Sequence, residues 1–492
     1  MPVSRRPMHL NPNASQWTAP PVSGTHLVEQ FHKQLPGYRP TELTYLDDVT
    51  KELGLGAVYV KSEVNRFNLP SFKILGASWG CFRALTKELN LPAETDLESL
   101  KLSVRHSDRC FTLFAATDGN HGRATAWFAG LLGIKTEIYV PDIMHKTTIR
   151  LIESEGAKVT LCKGGYDESV LAAYNASRDR TGGILIQDMA FEDYQEIPQW
   201  IVEGYTTLMR EAEQQLPRSA DLVITPVGVG SLAQAVVSHS KREGSSTAVM
   251  AVEPDGAACL YKSLVKNKLV SLETTLTIMA GLECGTPSAS AWPLLQAGVD
   301  ASLTVSDFES HEAAMSLQKA GIPAGPCGSA GLAALRRLTL GDKAKLGLGS
   351  DSIVVLLCTE GSRDYETPRS VWVHDPSELV RVLDQIRSTG WGEISAVRYI
   401  VAWLEHHGVE TYLVREGDNV PLIAAMVQGE GDSGLVLDQR TVTVASVDNG
   451  ESIDGTAMCG ELGRIRVTGT SSDLANAMLA LASRVSDPKS QL

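Results

Sequence analysis

Short continuous apolar runs recur along the first three quarters of the chain, and between them apolar residues fall at helical spacing. The runs are AVYVK (Ala57–Lys61), CFTLFAAT (Cys110–Thr117), KTEIYVP (Lys135–Pro141) and KVTLC (Lys158–Cys162). Four more follow: ILIQD (Ile184–Asp188), LVITPVG (Leu222–Gly228), VMAVEP (Val249–Pro254) and IVVLLCT (Ile353–Thr359). Most are too continuous to keep one wet face, as strands of a parallel sheet covered on both faces are. DGNHGRATAWFAGLLG follows one run and GSLAQAVVSHSK another, both with helical periodicity. This alternation predicts an open α/β fold with parallel sheets. Ligands of such folds sit in the strand-to-helix loops at the carboxyl ends of the strands.

The pattern changes near Trp372–Pro376. HDPSEL offers Asp375 as N-cap, Pro376 at the first helical position and Glu378 at the third. One helix is expected to carry Leu379, Val380, Val382, Leu383 and Ile386, and a second Ile394, Val397, Ile400, Val401 and Leu404. Strands VETYLV (Val409–Val414), VPLIAAMV (Val420–Val427) and SGLVL (Ser433–Leu437) follow. A domain boundary is expected near residue 374, with Gly361–His374 as linker. No internal repeat or low-complexity segment is visible.

Composition narrows the function classes. A chain of 492 residues is more than one hydrophobic core normally serves. Its 43% hydrophobic and 21% charged content is ordinary for a soluble globular protein. The formal net charge of -14 disfavours nucleic acid and anionic membranes as partners. The SRR run at Ser4–Arg6 reads as a solvated tail. The N-terminus lacks an apolar signal core, and no stretch approaches the roughly 20 apolar residues of a membrane span. The eight cysteines are scattered, without C-x-x-C pairs or metal-ligand spacing. They read as reduced thiols of a cytoplasmic protein, most of them small core residues.

Four places could carry chemistry. In TPVGVGSLAQAV (Thr225–Val236) a strand runs through Gly228, Val229, Gly230 and Ser231 into a helix. Glycines let the backbone approach an anion, and the helix start supplies free N–H groups. The loop also fits G-x-G-x-x-A, with Glu253 where a ribose-binding acid would stand. On this loop alone a dinucleotide, another phosphate ligand and a plain tight turn all stay open. In ATDGNHGRATAWFAG (Ala116–Gly130) the backbone could hold a substrate carboxylate. Asp118 is odd beside an anion site unless it moves a proton, meets a cation or merely caps the helix. His121 alone reads as structural. Asp188 is the first acid after a buried strand, either a turn residue or a group in the ligand crevice. Lys73 stands in NLPSFKILGA (Asn68–Ala77), where it either snorkels or is a desolvated amine suited to Schiff-base chemistry.

The lysine of SFK, the loop TDGNHG and the later GVGS together resemble fold-type II pyridoxal-phosphate enzymes, the group of the tryptophan synthase β-subunit and threonine dehydratase. The nearest resemblance is to diaminopropionate ammonia-lyases. It is carried by NPNASQWTAPPVS, YVKSEVNRFNLPSFKILGAS, TDGNHGRATAWFA, IQDMAFEDYQEIPQWIVEGYTT, TIMAGLECGTPS and LLCTEGSRD, spread over residues 11 to about 366. An acid at Asp118, together with Asp188, resembles the ammonia-lyases and not the dehydratases.

The resemblance implies two open α/β domains within residues 1–374. The larger would comprise about 1–95 and 190–374, the smaller about 96–189. It implies pyridoxal 5'-phosphate as cofactor, with Lys73 as the Schiff-base lysine and Asn120 on the phenolic oxygen. Gly228, Val229, Gly230 and Ser231 would hold the phosphate. Thr359 would face the pyridine nitrogen, with Cys358 as rival. Asp118 and Asp188 would form an acid/base pair, each serving one substrate enantiomer. The implied reaction removes ammonia from 2,3-diaminopropionate or a similar β-substituted amino acid, leaving pyruvate and a second ammonia. The β-ammonium group then supplies the cation that Asp118 lacks. AGPCGSAGLAAL (Ala324–Leu335) and Ser231 depart from the family pattern.

Residues 375–492 lie outside that pattern and weakly resemble the opening of zinc aminoacylase/carboxypeptidase metallohydrolases. The metal-ligand positions fall on Arg440, Val442 and Ser472 or Asp473, so no metal is expected. The extension is expected to be non-catalytic and to serve oligomerisation, docking of a partner or regulation; a regulatory α/β module is the alternative. The small-molecule partner is an amino acid, and a homodimer is expected. Two other functions stay open. One is a serine/threonine dehydratase or β-replacement enzyme of the same fold. The other is a catalytically silent scaffold that binds a partner through its tail.

Overall fold

The structure is a computed structural model. It describes residues 6–21, 24–117, 119–191 and 193–368, and five strands between residues 410 and 467. In chain order the strands of the first part are β1 (His9–Leu10), β2 (Leu43–Tyr45), β3 (Ala57–Ser62), β4 (Thr112–Ala116), β5 (Lys135–Pro141) and β6 (Lys158–Cys162). They continue with β7 (Gly183–Leu185), β8 (Leu222–Pro226), β9 (Ala248–Pro254), β10 (Ala301–Val305) and β11 (Ile353–Cys358).

Seven strands form one sheet in the order β1-β10-β9-β8-β11-β3-β2. Its five central strands are parallel, and the short edges β1 and β2 pair antiparallel. β6, β5, β4 and β7 form a second, wholly parallel sheet. Side chains alternate across each strand, so both faces need cover. In β11, Ile353, Val355 and Leu357 enter one core with Leu75, Val223 and Val236. Val354, Leu356 and Cys358 enter the opposite core with Ile224, Met250 and Leu332. The four-stranded sheet does the same, with Ala115 and Ile138 on one side and Phe114 and Leu185 on the other.

The expected parallel α/β architecture is present. Several local expectations need correction. ILIQD is strand only over Gly183–Leu185, so Asp188 stands three residues past β7. β10 lies inside the large sheet although its sequence, ASLTV, gave no continuous apolar run. Ser302 and Thr304 are buried there all the same. Arg6 is no solvated tail, because its guanidinium donates to the Asp255 carbonyl at 3.1 Å. The start of the expected linker is anchored. Gly361 N donates to Pro70 O at 2.8 Å, Ser362 N donates to Pro323 O at 2.7 Å, and the Tyr365 hydroxyl bonds His311 Nδ1 at 2.9 Å.

Further along, β12 (Glu410–Arg415), β13 (Pro421–Val427), β14 (Ser433–Leu437), β15 (Val442–Val447) and β16 (Gly463–Val467) form an antiparallel sheet in sequence order. The first three coincide with the expected strands. The two expected helices between residues 379 and 404, and Arg440, Ser472 and Asp473, lie outside the described residues. Among the described residues no helix is long and apolar enough to cross a membrane.

Candidate active site

Lys73 is the first residue of the helix Lys73–Glu88, whose next residues, Ile74 and Leu75, are wholly buried. That helix lies tightly against the helix Glu196–Gln215. A Cβ on Gly76 would sit 2.5 Å from the Tyr205 ring, and one on Gly80 2.7 Å from Ile201. The apolar flanks of Lys73 therefore belong to a helix interface, and the amine itself points into a cleft. Its side chain is 21% exposed and forms an ion pair with Asp188, which is 3% exposed. The amine does not stand alone in a dry pocket, as its flanks suggested; a buried carboxylate faces it.

Burial by itself pushes the Asp188 carboxyl up. The charge and hydrogen bond of Lys73 work against that, and the carboxyl is held at about 2. The Ser231 hydroxyl also reaches Asp188, at 3.5 Å. His121 lines the same cleft. Its Nε2–H donates to the Ile186 carbonyl at 2.8 Å, which leaves Nδ1 unprotonated and without a hydrogen-bond partner among the described residues. Burial lowers its affinity for a proton.

The cleft opens between the carboxyl ends of strands from both sheets. Lys73, Asn120, Asp188, Gly228, Val229, Gly230, Ser231 and Thr359 all line it. Asn120 opens the helix after β4. That turn is fixed by the Thr117 hydroxyl, which accepts from Gly119 N at 2.9 Å and Gly122 N at 3.0 Å. Asp118 lies outside the described residues.

The glycine loop connects β8 to the helix Ser231–Ser240, with Gly230 at φ 98°. A Cβ on Gly230 would come within 2.8 Å of Leu295, and one on Gly228 within 2.9 Å of the Gly281 carbonyl. Only glycine fits either position, and the result is a bare backbone at a helix start. Glu253 does not face this loop. It is wholly buried, accepts from Leu260 N and Tyr261 N at 2.7 Å each, and is pushed up to about 7 by burial. It caps a helix start, and the dinucleotide alternative loses its ribose-binding acid.

Thr359 follows β11 at the point where the chain leaves the sheet. Its hydroxyl is buried, lines the cleft and has no hydrogen-bond partner among the described residues. Cys358, one residue earlier, faces the core beneath the sheet, and its Sγ lies 3.7 Å from the Glu360 carbonyl. An amine at one end of the cleft, an orphan hydroxyl, an anion-binding loop and an amide donor suit a pyridine ring bearing an aldehyde and a phosphate. Sequence reasoning missed Glu360, Arg363, Cys284 and Cys327, which also line the cleft. The one signal for Glu360 was its place directly after Thr359.

Residues 34–359 match the family described as pyridoxal-phosphate dependent enzyme. Diaminopropionate ammonia-lyase of Escherichia coli (strain K12) is 33% identical over 374 residues, covering 71% of this chain and 91% of that protein. The protein of the same name from Salmonella typhimurium (strain LT2) is 35% identical over 298 residues, covering 57% of this chain and 72% of its own. The solved holo diaminopropionate ammonia lyase from Escherichia coli matches with a TM-score of 0.66 at 29% identity, over 73% of this chain and 95% of that one. Its complex with an aminoacrylate-PLP azomethine reaction intermediate matches with a TM-score of 0.65 at 28% identity, over 83% and 100%. The match runs through both sheets and ends where β11 delivers Thr359 to the cleft: this chain belongs to the pyridoxal-phosphate dependent enzyme family.

Proposed function

We propose that the protein removes ammonia from 2,3-diaminopropionate, or a closely similar β-substituted amino acid, and releases pyruvate and a second ammonia. The observation that carries this reading is the convergence of Lys73, Asn120, Asp188, the glycine loop and Thr359 on one cleft. The similarity to diaminopropionate ammonia-lyases supports the choice of substrate.

Bound pyridoxal 5'-phosphate supplies the electron sink for the carbanion at the substrate's Cα. The chain's own residues do the rest. The amides of Gly228 to Ser231 would hold the phosphate, Asn120 would donate to the phenolic oxygen, the Thr359 hydroxyl would meet the pyridine nitrogen and Lys73 Nζ would hold the aldehyde carbon. Asp188, paired with the Lys73 amine, would place that amine and share the proton transfer at Cα. Asp118 would serve the other proton transfer, at the leaving β-ammonium group.

The reading also takes residues 1–374 as a two-domain lyase region, with the split near residues 95 and 190 given above. It takes residues 375–492 as a non-catalytic extension that serves oligomerisation, docking of a partner protein or regulation. It takes the enzyme as a cytoplasmic homodimer; the seven described cysteines are all unbridged, which suits a reducing compartment.

The test is pyruvate release from D- and L-diaminopropionate, serine and threonine. Diaminopropionate should be turned over fastest; equal or better turnover of serine would favour the dehydratase reading. Asp188→Asn and Asp118→Asn should each slow elimination by roughly 10²-fold or more, the usual contribution of a general acid or base. Full activity in both variants would remove the acid/base assignment.

A further inference from the structure

Asn120 and Glu360 meet across the cleft. Asn120 Nδ2 donates to Glu360 Oε2 at 2.9 Å. The first opens the helix that follows β4 of the small sheet, and the second stands two residues past β11 of the large one. Glu360 is 4% exposed. Its Oε1 accepts from Cys327 N at 3.2 Å, in the first turn of the helix Pro326–Arg337, and lies 3.8 Å from Arg363 Nε. A helix N-terminus and a guanidinium both complement a negative charge.

The fold makes room for this side chain. A Cβ on Gly325 would lie 2.9 Å from Glu360 Oε1 and 3.0 Å from its Cγ. A Cβ on Gly328 would lie 2.8 Å from the Glu360 carbonyl. Two glycines of AGPCGSAG, which departed from the expected family pattern, thus leave room for Glu360, Gly325 for its side chain and Gly328 for its backbone.

We propose that Glu360 is a positioning residue for the cofactor: through Asn120 it fixes which end of the amide faces the phenolic oxygen, and its charge sets the pH at which the bound cofactor's visible band titrates. The inference rests on the assignment of Asn120 to that oxygen. The amide nitrogen carries two hydrogens. Glu360 takes one, and the other is left for an acceptor in the cleft. Without Glu360 the amide can turn and present its carbonyl, which repels an anionic oxygen. A negative charge held nearby also strengthens the cofactor's hold on its titrating proton. Among the described residues the other titratable groups on the cleft are Lys73, His121, Tyr166, Asp188 and Cys284, besides Cys327 and Arg363, and Asp118 is assigned to the same site. All of them are kept in the variants below, so the comparison isolates Glu360.

Wild-type enzyme, Glu360→Gln, Glu360→Ala and Asn120→Ala are stripped of cofactor and titrated with pyridoxal 5'-phosphate, with thermal melts as a check on folding. The pH dependence of the absorption band is then recorded for each. Glu360→Ala should weaken cofactor binding by about tenfold, the effect of one charge-assisted hydrogen bond. Glu360→Gln keeps an acceptor for Asn120, so binding should stay within about threefold while the midpoint of the band falls by roughly half a pH unit or more. If Glu360→Ala does not fold, the midpoint in Glu360→Gln decides alone. Wild-type affinity and midpoint in both Glu360 variants, with Asn120→Ala altered, would overturn this inference and leave the Asn120 assignment standing. No change in Asn120→Ala would remove that assignment and the inference with it.

Discussion

Glu211 sits between two cations in the protein interior. Its Oε2 lies 2.9 Å from Lys61 Nζ and 2.7 Å from Arg66 Nη2, and Arg66 also pairs with Glu63 at 2.7 Å. Lys61 has no exposed side-chain surface at all, so it is more deeply buried than Lys73. The cluster anchors the loop that leads from β3 to Lys73, where Phe67 and Asn68 adopt φ of 56° and 64°. Burial pushes the Glu211 carboxyl up, but Arg66 and Lys61 hold it down at about 2, against an ordinary 4.5. A carboxyl depressed in the folded state stabilises above its unfolded value and loses that contribution as pH falls through the folded one. Unfolding experiments between pH 7 and pH 2 should therefore show Glu211 stabilising at neutral pH and fading between about 4.5 and 2. Glu211→Gln leaves two buried cations short of a partner and should cost about 3 kcal/mol or more at pH 7. It should also flatten the acid limb. An unchanged acid limb would mean that another carboxylate controls it.

The helices Lys73–Glu88 and Glu196–Gln215 approach so closely that glycine is required on both. Gly204 backs onto the Leu75 carbonyl and Gly76 Cα, atoms that cannot swing aside as a side chain can. Gly204→Ala should therefore push the two helices apart, costing about 1–3 kcal/mol. It should also disturb the cofactor's absorption, because Lys73 begins the displaced helix. Gly133, at φ 70° with nothing near its missing Cβ, is the contrast. Gly133→Ala should destabilise through backbone strain alone, by about 1 kcal/mol, and leave the spectrum intact. At this scale the legibility of most strands follows burial, although β6 was read with its exact bounds while only Cys162 of it is buried. β3, β4, β5, β8, β9 and β11 could be read because most of their residues are apolar and covered on both faces. β10 could not, since Ser302 and Thr304 are buried without looking so, and β1 and β2 are too short to show a period. The glycine loop showed an anion site from its own residues, yet its ligand became specific only together with SFK and TDGNHG. Glu360 gave no spacing signal, because its partners come from residues 120 and 327, far away in sequence.

The whole molecule divides the site between two sheets. The seven-stranded sheet and its helices bring Lys73, the glycine loop and Thr359; the four-stranded sheet brings Asn120 and Asp188. Among the described residues three polar contacts already cross the cleft: Lys73 to Asp188, Ser231 to Asp188 and Asn120 to Glu360. A ligand that bonded Lys73, accepted from Asn120 and anchored on the glycine loop would add contacts to both parts. Binding to the folded state alone must then raise stability, by about 2.7 kcal/mol at a hundredfold excess over Kd. Thermal melts of cofactor-free enzyme with added pyridoxal 5'-phosphate should show this as a rise in Tm. Lys73→Ala should lose the visible band but keep part of the rise, because the phosphate contacts do not pass through the amine. Pyridoxal without its phosphate should show the reverse, a band with little stabilisation. If pyridoxal raises Tm as much as its phosphate ester does, the loop from Gly228 to Ser231 is not the anchor, and the strand-to-helix turn there has only a structural task.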